Sequence, residues 1–149
     1  MNEKIAYFDN AATTFPKPEC VYEFMNDFYR NSGGNAGRAN HGLAITSGKL
    51  ISETRTLIKE LLHCQTKEVI FTPSATFALN MIVQGMIYSG AKNIYISPFE
   101  HNAITRVLHH FEKQNMIVVH QLNFEKFDFN FERIKYQFEE IKPDLVICT

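Results

Sequence analysis

Val69-Ile70-Phe71-Thr72-Pro73-Ser74-Ala75-Thr76 runs from four residues of apolar, β-forming character through a tight turn into small, hydroxylated residues that suit a helix start. A strand that feeds a helix in this way is half of a βαβ unit. Downstream the same alternation recurs: helix over 74–88, strand over 93–97, helix over 102–114, strand over 116–120, helix over 131–141 and strand over 145–148. Strands separated by helices predict an α/β fold, a mainly parallel sheet with helices on both faces and right-handed crossovers.

Upstream of the octet, Leu50, Ile51, Leu57, Ile58, Leu61 and Leu62 recur at helical spacing, with Lys49, Glu53, Lys59 and Glu60 opposite, so a long amphipathic helix is expected over about 44–63. Before it, residues 31–42 hold Gly33, Gly34, Gly37 and Gly42 of the chain's 7 glycines. This stretch reads as a polar loop with unusual backbone angles and a functional candidate. Pro18 opens a first helix whose apolar face is Val21, Phe24, Met25 and Phe28, after an extended start at 5–8 and an irregular stretch at 9–18. Residues 1–45 are therefore expected as an amino-terminal segment, and 46–149 as the first part of a larger, incomplete domain. The chain stops just after the apolar run 145–148 with no helix to cover it, so a fragment is expected.

Composition narrows the function classes. The 149 residues carry 15 basic and 16 acidic side chains, a net charge of −1, and give no cationic face for nucleic acid or anionic lipid. Apolar runs are far too short to cross a bilayer and no apolar signal region follows the start, which predicts a cytoplasmic protein. Cys20, Cys64 and Cys148 are odd in number and unpaired in spacing, so neither a disulfide framework nor a zinc site is expected, only reduced and mostly buried thiols. His109-His110 has no third ligand at usable spacing, and no metal is expected there. The Phe-rich stretch around Phe124, Phe127, Phe129 and Phe131 reads as a loop packing its aromatics.

Two turns carry chemistry. A helix that starts at Ser74-Ala75-Thr76 offers unbonded N–H groups and the positive end of a dipole, which suits a phosphate; an ordinary N-cap at Ser74 is the plainer reading of the same residues. Neither GxGxxG nor GxxxxGK[ST] is present, so no dinucleotide fingerprint or P-loop is supported. Ser97-Pro98-Phe99-Glu100-His101-Asn102 follows the next strand, and ligands in open α/β sheets lie beyond the carboxyl ends of strands. His101 is thus expected on the same edge as Thr76, where an imidazole can stack on a flat ring or move a proton. A surface or capping histidine is the alternative.

Together with Tyr7-Phe8-Asp9-Asn10-Ala11-Ala12-Thr13-Thr14, these segments resemble the class V aminotransferase and cysteine desulfurase family in order, spacing and wording. The octet at 7–14 resembles the family's opening signature, Phe71 to Thr76 its phosphate-binding turn, and Glu100-His101-Asn102 its cofactor-stacking histidine motif. Gly33 to His41 is similar to the loop that follows the first helix in desulfurase-like members. The resemblance implies a fold-type I enzyme of pyridoxal 5'-phosphate (PLP). In it Ala75 and Thr76 hold the cofactor phosphate, and His101 stacks on the ring and handles a substrate proton. Asn10, Ala11 and Ala12 would line the substrate end, with Arg38 and His41 as substrate or interface contacts. Phe77 and Pro73 depart from the residues usual beside that threonine.

The resemblance further implies that the cofactor lysine, the acid facing the pyridine nitrogen and the persulfide cysteine lie beyond Thr149, so the chain alone would be inactive. Its parent is then expected to be a homodimer that converts cysteine to alanine and passes persulfide sulfur to an acceptor protein. Aminotransferase, selenocysteine lyase, epimerase and kynureninase chemistry stay open, as does a non-catalytic α/β domain that binds a phosphorylated ligand. A flavodoxin-like regulator fits less well, because it has no use for the long proline- and glycine-rich front end.

Overall fold

The computed structural model describes residues 6–37 and 40–148. The chain divides into two compact units, 1–70 and 71–149.

In the first unit, Pro18 precedes α1 (Glu19–Asn31), and α2 (Gly42–Leu61) begins on the side chain of His41, whose Nδ1 accepts from Ala44 N–H at 3.3 Å. Ser47 Oγ donates to Ser32 O at 3.0 Å, pinning the link between the helices against α2. The glycines of that link were expected to supply unusual backbone angles. None among the described residues does, since Gly90 is the only described glycine with positive φ. What Gly34 supplies is room: a Cβ there would stand 2.8 Å from Leu43 Cβ. The expected strand over 69–72 is also absent among the described residues. An extended segment becomes a strand only when a neighbour completes its ladder, and the Val69 carbonyl is instead taken by Arg55 Nε at 3.1 Å. Residues 6–8 likewise form no strand, and Ile5 lies outside the described residues.

The second unit begins with α3 (Ala75–Tyr88), β1 (Asn93–Ile96), α4 (Asn102–Lys113) and β2 (Val118–Gln121). A short hairpin, β3 (Phe124–Glu125) and β4 (Asp128–Phe129), then leads into α5 (Phe131–Glu140) and β5 (Leu145–Ile147). The sheet order is β2-β1-β5 and both pairings are parallel, so β1 is central. Side chains alternate across a strand, and β1 shows what that does. Ile94 joins Val83 and Ile87 of α3 and Ile104, Val107, Leu108 and Phe111 of α4 in one core. Tyr95 points the other way, its hydroxyl shared between Gln137 O at 3.0 Å and Ile141 O at 2.9 Å at the end of α5, with its ring edge-on to Phe138. Helices thus cover both faces, as the alternation requires. Burial, reinforced by the nearby Glu140 carboxylate, pushes the Tyr95 phenol above its ordinary pKa.

β5 is clasped to the start of β1 by one carboxylate. Asp144 Oδ2 accepts from Lys92 N–H at 2.8 Å and Asn93 N–H at 2.9 Å, while Asp144 N–H donates to Asn93 O at 2.9 Å. The two backbone donors hold its pKa below the ordinary value of 3.8. A carboxylate whose folded pKa is depressed contributes stability above its unfolded value and loses that contribution as pH falls through the folded one. The urea midpoint of the wild-type chain should therefore drop from pH 5 to pH 2.5 by more than that of Asp144→Asn. Equal drops would show that this clasp carries none of the acid sensitivity.

The thiols are more open than the sequence suggested. Cys20 and Cys148 are exposed and Cys64 is half-buried; all three are free. Cys148 follows β5, where it shares the parity of exposed Val146 rather than of half-buried Ile147. Among the described residues no helix is long and apolar enough to cross a membrane, and no group of three or more His, Cys, Asp or Glu could hold a metal ion.

Candidate functional site

Ser74 has extended backbone angles and its Oγ accepts from Phe77 N–H at 3.1 Å, satisfying one of the donors that every helix start leaves open. Thr72 Oγ1 donates to Ser74 O at 3.0 Å and steadies the turn from below. With the cap engaged on Phe77, the N–H groups of Ala75 and Thr76 have no acceptor among the described residues, and the Thr76 side chain is exposed beside them. Thr76 borders an open groove of about 540 Å³, lined also by Ser74, Phe77, Asn80, Met81 and Gln84. Two unbonded N–H groups, a hydroxyl and a dipole end are the kind of donors that suit a phosphate-sized anion. The plain cap and a phosphate-binding role are thus compatible: Ser74 serves the helix, while the N–H groups of Ala75 and Thr76 stay open.

The second turn is built on Ser97, which is fully buried. Its Oγ donates to Glu100 Oε1 at 2.6 Å and accepts from Phe99 N–H at 3.3 Å, while its own N–H donates to Ile147 O at 3.0 Å. The chain is therefore held as it leaves β1 and delivered into α4 at a fixed point. His101 is the N-cap of α4: its Nδ1 accepts from Ala103 N–H at 3.1 Å and the ring is exposed. With Nδ1 an acceptor, the neutral ring carries its proton on Nε2. Phe99 of the same turn meets Phe124 and Phe129 of the hairpin edge-on, at 4.9 and 6.5 Å between ring centres. This seats part of the Phe-rich stretch, although Phe127 and Phe131 remain exposed.

The starts of α3 and α4, which carry Ala75, Thr76 and His101, are tied to one another within the second unit. The link is Asn80, whose Nδ2 donates to Thr76 O at 2.9 Å and to Ala103 O at 3.2 Å. Sequence reasoning passed over it, because a single polar residue in the run Ala78-Leu79-Asn80-Met81-Ile82-Val83 is easily absorbed into an apolar helix. Its signal was the four-residue step from Thr76, which sets it directly beneath that residue on one helix face.

The front octet belongs to the first unit. The Tyr7 hydroxyl is shared between Asp9 O and Thr13 O, both at 3.0 Å, and Asn10 Oδ1 accepts from Phe15 N–H at 3.2 Å. Ala12 N–H closes the turn on Asp9 O at 3.1 Å, leaving Asn10, Ala11 and Ala12 exposed on it. His41, one of the weaker candidates, caps α2; Arg38 lies outside the described residues.

The family described as Aminotransferase class-V matches residues 6–146. Among curated proteins, the chain is 36% identical over 107 residues to cysteine desulfurase SufS of Plasmodium falciparum, covering 68% of this chain and 19% of that protein. It is equally similar, 36% over 107 residues, to a probable cysteine desulfurase of Borreliella burgdorferi, of which 25% is covered. It thus spans about a fifth to a quarter of the length of these relatives. The cysteine desulfurase of Thermococcus onnurineus has the same fold over 95% of this chain and 36% of its own, with a TM-score of 0.82 at 21% identity. A NifS-like protein superposes over 78% of this chain and 32% of its own, with a TM-score of 0.68 at 28% identity.

Proposed function

The chain belongs to the class-V aminotransferase family, and from that membership we propose that it supplies the phosphate cradle and the ring-side histidine of a PLP-dependent cysteine desulfurase. The observation that carries the reading is the pair of unbonded N–H groups at Ala75 and Thr76, on a helix start tied to the one that carries the exposed ring of His101. When bound, PLP supplies the electron-withdrawing ring that makes loss of a proton from an amino-acid α-carbon feasible. The chain's own residues bind and orient. Ala75, Thr76 and the α3 dipole would hold the phosphate dianion, and the His101 imidazole would serve on the ring side, with Nε2 free to hold or pass a proton. Asn10, Ala11 and Ala12 are assigned to the substrate end, with Arg38 and His41 as further contacts with substrate or a second subunit.

Turnover is assigned to the whole enzyme, in the cytoplasm and as a homodimer that hands sulfur to an acceptor protein. The family's Schiff-base lysine and persulfide cysteine match no residue of this chain, so the 149 residues alone are expected to be inactive. Residues 1–45 form its amino-terminal segment and 46–149 part of its cofactor-binding large domain.

Titration of the chain with PLP, pyridoxal and inorganic phosphate, followed by amide and ring resonances, tests the reading. PLP should shift Ala75, Thr76 and His101 together, phosphate should shift Ala75 and Thr76, and pyridoxal should act only at far higher concentration. A response to phosphate with none at His101 to PLP would make this a phosphate-binding module instead, and silence to all three would sink the cofactor assignment.

A further inference from the structure

We infer that Asn80 is a positioning residue: it fixes the start of α4 against the start of α3, and thereby holds His101 in register with the Ala75 and Thr76 cradle. The inference rests on the cofactor reading above for its purpose, and on geometry for its substance. A half-buried amide on an otherwise apolar stretch of helix is costly unless it is bonded, and both Nδ2 hydrogens of Asn80 are used. One goes to Thr76 O within α3; the other crosses to Ala103 O of α4, 23 residues further along the chain.

Ala103 is the residue that matters for His101. Its N–H donates to His101 Nδ1 and its carbonyl accepts from Asn80, so one buried residue is gripped from both ends. The apolar core between Val83 and Ile87 of α3 and Ile104, Val107 and Leu108 of α4 presses the two helices together. Apolar contact is non-directional, however, and leaves some freedom to slide along the helix axes. A directional amide bond removes it. Gln84, one turn further along α3, makes no side-chain hydrogen bond among the described residues, so the tie is a single one.

The test uses the 149-residue chain with Asn80→Leu, which keeps the shape without the donors, and Asn80→Asp, which keeps shape and polarity but turns acceptors toward two carbonyls. Two signals are read at pH 8: the exchange rate of the Ala103 amide, and the ring-nitrogen shifts of His101. In the wild type His101 should show the single tautomer with its proton on Nε2. In both variants the Ala103 amide should exchange roughly tenfold faster, the loss of about one hydrogen bond, and His101 should become a mixture of tautomers while the Ile94 amide keeps its protection. Wild-type signals at His101 and Ala103 in either variant would overturn the inference, as would loss of Ile94 protection in both, which would make Asn80 a general structural residue. A wild-type chain whose Ala75 and Thr76 amides ignore inorganic phosphate would be a different failure. It would remove the cofactor reading, and with it any positioning role toward a cofactor.

Discussion

Ile94→Ala is expected to destabilise the second unit by about 2–5 kcal/mol, the range for truncating a large aliphatic side chain in a close-packed core. Ile94 is 0% exposed on the central strand, with a helix pair packed over it. A whole domain is stable by only about 5–15 kcal/mol, so this change removes a large share of the total. With a urea slope of about 1–3 kcal/mol per molar, the midpoint should fall by roughly 0.7–5 M. Val146→Ala is the matched control: it lies in the same sheet, beside Tyr95 in the β1–β5 register, but is 43% exposed. It should cost no more than about 0.5 kcal/mol. A cost at Val146 equal to that at Ile94 would mean that β5 is covered on its Val146 side, and the exposed placement of that residue would be wrong.

The layers were legible because period is a strong signal. The apolar spacing of 102–113 and the β-forming Ile94-Tyr95-Ile96 leave few alternatives, and α3, β1, α4, α5 and β5 stand within a residue or two of expectation. Three features were hidden for separate physical reasons. Residues 69–72 have strand composition, but composition cannot report whether a neighbour supplies a ladder. The strand after α4 was expected from Met116 yet begins at Val118, because Asn115 takes a left-handed turn at φ 57° and Ile117 drops into the core first. The hairpin at 124–129 reads as a loop because its two-residue turn uses Lys126 and Phe127 at φ 53° and 66°, where glycine or asparagine would have announced it. For the site, both helix starts were visible in short motifs. Asn80 and the buried Ser97 were not, since their roles depend on partners that only the packed chain brings near.

Thr76→Val should weaken PLP binding about 10- to 100-fold, the worth of one hydrogen bond to a charged group. Valine keeps the branched shape of threonine, and the Ser74 cap on Phe77 N–H does not use the lost hydroxyl, so the helix start stays in place. The unbonded N–H groups of Ala75 and Thr76 are untouched. For that reason binding should be weakened rather than abolished. Thr76→Ser restores the hydroxyl and should return affinity to within about threefold of wild type, the remainder reflecting the extra rotamer freedom of serine. Pyridoxal, which has no phosphate, separates this contact from any general effect on the groove. Its weak binding should be unchanged by Thr76→Val. If the substitution weakens pyridoxal as much as PLP, the phosphate does not sit on the start of α3, and the ring-side role given to His101 would have to be rebuilt from a different anchor.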